Sequence, residues 1–138
     1  MEKKPFAYVY TCYDPNIRDA LIAYCEEHYG NKHYIFDPDP GAVKTLVSPN
    51  DVANPRIVLA KMKLAHEKVH SPVDVIVLIN HTSCGAYADS GVTFTDPAAE
   101  QEFHAHELAT AERLVQDNFP DIRIETHFFS KEEQKMVW

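Results

Sequence analysis

Four short stretches rich in β-branched and aromatic residues punctuate the chain: "FAYVYTC" (6–12), "KHYIFD" (32–37), "VDVIVLIN" (73–80) and "IRIETHFF" (122–129). Side chains of this kind pack well on a pleated surface, so each stretch is predicted to be a strand. The longer segments between them carry helical spacing. In the third, Leu108, Ala111, Val115 and Phe119 recur on one helical face, and Pro120 ends the run. Three helices are predicted to open with one grammar, at Asp14-Pro15, Asn54-Pro55 and Asp96-Pro97. In each pair a capping side chain precedes a proline at the first helical position, where its missing N–H is no loss. Strands alternating with helices imply βαβ units and a parallel sheet. The uninterrupted apolar run "VIVLI" suits a strand buried on both faces. The expectation is an α/β fold: one three-layer domain over residues 1–138, with a mainly parallel sheet of four or five strands and helices on both faces. Pro38, Pro40, Gly41, Pro49 and Pro55 mark a long irregular connection after the second strand.

Composition narrows the partners. With 138 residues and 45% hydrophobic content, the chain can bury one sizeable core. The formal charge of −8 and the scattered lysines exclude a basic nucleic-acid footprint. No stretch reaches the roughly 18 apolar residues of a membrane span, and the N-terminus lacks the pattern of a signal peptide. A small-molecule substrate is therefore expected, in a soluble protein. Cys12, Cys25 and Cys84 make an odd count in a chain too long for a disulfide miniprotein, which points to reduced thiols in a cytoplasmic setting.

The chemistry concentrates at strand ends. In open parallel sheets, ligands gather where loops converge at the carboxyl ends of strands. Cys12 ends the first predicted strand, and His81 and Cys84 follow the third. If those strands are neighbours, two thiolates and an imidazole meet at one edge. That donor set suits zinc, with a fourth tetrahedral position left for water or a carboxylate.

Cys12-Tyr13-Asp14 followed by Arg18, then "HTSCGA" after a buried strand, resemble the CxDxR and HxxCG motifs of the β-class carbonic anhydrases. The resemblance implies Zn²⁺ bound by Cys12, His81 and Cys84, with Asp14 and Arg18 as the family's Asp–Arg dyad. It implies reversible hydration of CO₂ to bicarbonate through zinc-bound hydroxide, and a homodimer. In the family, the aspartate accepts a hydrogen bond from the hydroxide and the arginine keeps the carboxylate off the metal. Here Arg18 lies four residues beyond Asp14 instead of two, a spacing that still lets the pair touch on a helix, and Asn80 stands where a glycine usually precedes the histidine. Zinc hydrolases of CS₂ or COS share the ligand set, and a non-catalytic zinc-binding relative is the further alternative. A metal-free α/β binding module is the third class; its weakness is the lack of any glycine-rich phosphate loop.

Other residues have plainer readings. Asp14 is placed to cap the first helix, and Cys25, beside Leu21 and Ile22, belongs to the core. "HEKVH" (66–70) matches HExxH, but His70 falls in the last helical turn before Ser71-Pro72, with no second helix to supply a third ligand. His104 and His106, two residues apart, face different ways and do not chelate one metal easily. His104, a turn before Leu108, is either a packed histidine or a proton shuttle at the cleft; Tyr87 and Asp89 are near the loop by chain proximity.

Overall fold

A computed structural model of the protein describes residues 5–30, 33–49, 54–68 and 72–138. Its elements run β1 (Phe6–Cys12), α1 (Pro15–Tyr29), β2 (Tyr34–Asp39), α2 (Lys44–Val47), α3 (Pro55–Lys68), β3 (Val73–His81), α4 (Gly85–Asp89), α5 (Pro97–Asn118), β4 (Arg123–Ser130) and β5 (Lys135–Met136). The three predicted helix starts are all present, each capped as the sequence implies. Asp14 Oδ1 accepts from Asn16 N at 2.8 Å, Asn54 Oδ1 from Arg56 N at 2.9 Å and Asp96 Oδ1 from Ala99 N at 2.8 Å. Each cap satisfies one of the N–H groups that the first helical turn leaves without a partner.

Two local expectations change. The segment after β2 is not wholly irregular, because Gly41 turns the chain at φ 72° into the short helix α2. The second strand runs on through Pro38 to Asp39. It lies at the edge of the sheet, where a residue without an N–H is tolerated.

The five strands are ordered β2-β1-β3-β4-β5. All pairs are parallel except β4 with β5. From β1 the chain moves outward to β2, then returns to place β3 on the other side of β1. The order of strands therefore reverses between β1 and β3, and a crevice opens there at their carboxyl ends. The central strand is the predicted apolar run: residues Val75, Val77, Leu78 and Ile79 are fully buried and Ile76 nearly so. Helices cover both faces, as alternate side chains of β4 show. Glu125 and His127 meet Tyr29 and Tyr24 of α1, whereas Phe128 stacks on His104 of α5. On α5 the face carrying Leu108, Ala111 and Val115 is buried, as its spacing predicts. Cys25 is likewise wholly inside. No helix among the described residues is long and apolar enough to cross a membrane.

His104 belongs to this core. It is fully buried, with its ring centroid 4.8 Å from Phe128, 5.0 Å from Tyr87 and 5.3 Å from Phe103, and its Nδ1 lies 3.0 Å from Asn80 Nδ2. The amide donates and Nδ1 accepts, so the ring is the neutral tautomer with its proton on Nε2. Burial, and secondarily the charge of His81, pull its pKa from 6.5 down to about 4. An unfolded chain binds a proton at His104 near pH 6.5 and the folded chain does not, so stability falls as pH drops from 6.5 towards 4 and levels off below. By linkage, wild type should lose about 2 to 3 kcal/mol more than His104→Phe between pH 7 and pH 4.5, measured by urea unfolding.

Candidate metal centre

Cys12, His81 and Cys84 converge at the reversal point of the sheet. Their ligand atoms all lie within 4.8 Å of one another, and all three residues are buried. β1 delivers Cys12 as its last residue, β3 delivers His81 as its last, and the tight turn that follows brings Cys84 back to the N-terminus of α4. Because β1 and β3 pair directly, with Thr11 opposite Ile79, a separation of 72 residues becomes side-chain contact.

The donor atoms are arranged as a metal ion requires. His81 Nδ1 is 2.6 Å from the carbonyl oxygen of Thr82. A carbonyl only accepts, so the proton sits on Nδ1 and the Nε2 lone pair is free; Nε2 is buried and has no hydrogen-bond partner. A buried orphan of this kind is unfavourable by itself, and a metal ion would resolve it. The two sulfurs are 3.9 Å apart. That is far too long for a disulfide, and close to the roughly 3.8 Å expected of two sulfurs bound tetrahedrally to one ion at about 2.3 Å. The three residues fit a metal.

The thiols ionise as a unit. A hydrogen bond from Cys12 lowers the Cys84 pKa to about 6 against the opposing effect of burial, with the N–H groups of Tyr87 and Ala86 adding to the stabilisation. The same bond to Cys84, together with burial, pushes Cys12 up to about 12. One thiolate is therefore favoured near neutrality, and the second needs a cation. Gly41 N also donates to Cys12 Sγ at 3.4 Å.

The loop that follows His81 is held under strain. Ser83 sits at φ 54°, a left-handed conformation that costs a non-glycine residue about 1 kcal/mol. Several bonds maintain it: Ser83 N donates to Glu100 Oε2 at 2.9 Å, Ser83 Oγ to Glu132 Oε1 at 2.6 Å and Thr82 Oγ1 to Glu132 Oε2 at 2.5 Å.

Asp14 and Arg18 are not brought together. Arg18 is exposed on α1, and the ion partner of Asp14 among the described residues is Lys131, whose Nζ lies 2.7 Å from Oδ2. The pairing that i,i+4 spacing allows is thus replaced by one spanning 117 residues. Burial opposes the charge on Asp14, but Lys131 and the Asn16 N–H outweigh it and hold the carboxyl below its ordinary range.

Of the remaining candidates, His66 uses Nδ1 to accept from Val73 N at 3.1 Å, which leaves the HExxH match with a structural histidine; Glu67 is exposed, and His70 lies outside the described residues. Tyr87 is buried, with Asn80 Nδ2 3.2 Å from its hydroxyl, and Asp89 and His106 are exposed. Sequence reasoning missed Gly41, Glu100, Lys131 and Glu132. The Asp-Pro-Gly turn signal marks Gly41, but not its reach to Cys12.

An α/β sheet carrying a thiolate–imidazole cluster at its switch point defines a class of protein with a candidate metal centre. Comparison with known proteins gives the family. The family model described as "Putative carbonic anhydrase" matches residues 2–137, and the chain belongs to this carbonic anhydrase family. Solved structures agree on the fold. A carbonic anhydrase from Glaciozyma antarctica superposes with TM-score 0.60 at 11% identity, covering 99% of this chain and 83% of that one. The β-carbonic anhydrase CafA of Aspergillus fumigatus gives 0.53 at 14%, covering 97% and 74%. A tetrameric β-carbonic anhydrase of Sordaria macrospora gives 0.50 at 16%, covering 98% and 80%. Identities this low establish a shared architecture. No curated protein sequence matches significantly.

Gly41 offers a direct check on the second loop. At φ 72° a Cβ would be strained, and it would lie 3.0 Å from Ala86 Cβ and 3.1 Å from Lys44 Cβ. Gly41→Ala should lose about 1 to 3 kcal/mol of stability, measured by chemical unfolding. It should also loosen the Cys12 donor, read as faster exchange of the residue 41 amide.

Proposed function

We propose that the protein is a zinc-dependent carbonic anhydrase that reversibly hydrates CO₂ to bicarbonate. The observation that carries the reading is the Cys12–His81–Cys84 cluster, with an unpartnered His81 Nε2 and a 3.9 Å sulfur separation at the sheet's switch point. Family membership supports it. Cys12, His81 and Cys84 would hold the ion. When bound, zinc lowers the pKa of a coordinated water to about 7 and so supplies a nucleophile at neutral pH.

The chain's own residues do the rest. His81 is oriented by Nδ1–H donation to Thr82, which raises the basicity of Nε2. Cys84 is set at the start of α4, where the N–H groups of Ala86 and Tyr87 favour its thiolate. Asp14 stands two residues past Cys12 with only 13% of its side chain exposed. Its Oδ1 caps α1, accepting from both the N–H and the side-chain amide of Asn16, and its Oδ2 takes Lys131 and keeps a second lone pair with which to accept a substrate proton. Held ionised at neutral pH, the carboxylate is an acceptor, not a donor, at this edge. Three free thiols support a reducing, cytoplasmic setting. The reading also takes the chain as one zinc domain that assembles as a homodimer.

Metal analysis by mass spectrometry should find about one zinc per chain in wild type, below about a tenth in Cys84→Ala, and an unchanged content in Cys25→Ala. Stopped-flow CO₂ hydration should fall about a hundredfold or more in Cys84→Ala. Wild-type protein without zinc would overturn the reading. Zinc bound with no CO₂ hydration would replace it by a COS or CS₂ hydrolase or a non-catalytic relative, which direct assay with those two substrates separates.

A further inference from the structure

One peptide group joins the imidazole of the metal cluster to a carboxylate on another element. His81 Nδ1 lies 2.6 Å from the carbonyl oxygen of Thr82. The N–H at the other end of that same peptide, carried by Ser83, donates to Glu100 Oε2 at 2.9 Å. A trans peptide points its C=O and its N–H in opposite directions, so Glu100 and His81 stand on opposite sides of one planar unit. The line runs from carboxylate through peptide to imidazole, and the far ring nitrogen is the buried Nε2 that has no hydrogen-bond partner.

Each link strengthens the next. An ionised acceptor on a peptide N–H draws electron density toward the carbonyl oxygen, and hydrogen bonds in such a chain polarise one another. A stronger acceptor at Nδ1–H fixes the tautomer of the ring and makes Nε2 a better metal ligand. The peptide is also braced from other sides. Thr82 N donates to Phe129 O at 2.9 Å and Lys131 N to Thr82 Oγ1 at 2.8 Å, while Glu132 accepts from the hydroxyls of Thr82 and Ser83. Glu132 touches this loop only through hydroxyls, which lie off the line to His81. Glu100 is different because it takes the peptide N–H itself. It stands in the first turn of α5, a helix of 22 residues whose start Asp96 caps, so its backbone is fixed independently of the loop. A carboxylate in a first turn is favoured by the helix dipole alone. That plainer role needs no bond to Ser83 and has no effect on His81.

We propose that Glu100 is a positioning residue for the metal: through the Ser83–Thr82 peptide, its carboxylate orients the His81 ring and raises the basicity of Nε2. The inference rests on the metal reading above and adds to it the residue that tunes the imidazole ligand.

The test uses the full chain, isotope-labelled at histidine nitrogen and read by NMR with and without zinc. The zinc dissociation constant is measured beside it by competition with a chromophoric chelator. Wild type should show a His81 Nδ1 proton at low field. Glu100→Gln keeps an acceptor for Ser83 N–H but removes the charge, so it should move that proton upfield and raise the dissociation constant about threefold or more. Glu100→Ala loses the bond as well and should raise it about tenfold or more. Glu132→Gln removes a charge from the same loop off the line, and should leave the His81 proton in place. If Glu100→Ala does not fold, Glu100→Gln carries the comparison. A His81 proton or a zinc affinity unchanged in Glu100→Gln overturns the proposal alone, even where unfolding shows lost stability, and so does an equal proton shift in Glu132→Gln. Wild type that binds no zinc overturns the metal reading, and the proposal with it.

Discussion

Parallel pairing of β1 with β3 is the constraint on which the site depends. Neither strand holds a complete set of ligands, and the residues between them are numerous enough to form three helices and another strand. Once Thr11 lies opposite Ile79, Cys12 and His81 must end side by side, and the turn to α4 needs to return only three residues to add Cys84. The register also decides which way each side chain points, since a shift of one residue would send Cys12 to the other face. The apolar run of β3, buried on both sides, makes such a shift expensive, so packing in the middle of the sheet protects geometry at its end.

A small number of connected bonds joins some of the buried polar groups around the cluster, while Thr11 Oγ1, Asn80 Oδ1 and His104 Nε2, like His81 Nε2, are buried without a hydrogen-bond partner. Asn80 turns its amide to Tyr87 and His104, and His104 is enclosed by aromatic rings. This is a stabilising network, with no charge to move near neutrality. His81 differs in its surroundings: its Nδ1 is held by the Thr82 carbonyl, and its ring stands beside two thiols, not among aromatic rings. Two buried histidines, one at the end of β3 and one within α5, therefore serve opposite purposes. Water-excluding rings hold one neutral, and a carbonyl orients the other for a cation.

The carboxyl ends of β1 and β3 are crossed by the last turn of the chain, which supplies Lys131, Glu132 and Gln134 to residues far away in sequence. Ser83 shows why such bracing is needed. Its left-handed backbone is unfavourable by itself and persists because Glu100 and Glu132 hold its N–H and hydroxyl. Asp14 joins the two themes, acting as helix cap through one oxygen and as ion partner through the other. A residue that secures α1 is thereby anchored two positions past Cys12, and its capping bond limits how it can turn.

Much of this was legible in the chain itself. Strand positions, three helix starts and the burial of Leu108, Ala111, Val115 and Cys25 follow from side-chain shape, capping chemistry and periodicity, all of which act over a few residues. The spacing of His81 and Cys84 is local too, and the placing of Cys12 at a strand end needed only the strand. What tertiary structure alone decided is which distant residues meet. Asp14 found Lys131 instead of Arg18, because α1 turns Arg18 outward while the β4–β5 turn swings an ammonium across the sheet edge. Gly41 reached Cys12 only because β2 lies beside β1. Local sequence determines the shape of each element through forces that decay within a turn or two. Contacts across 117 residues depend on how sheet order and register close the chain on itself, and no local pattern encodes them.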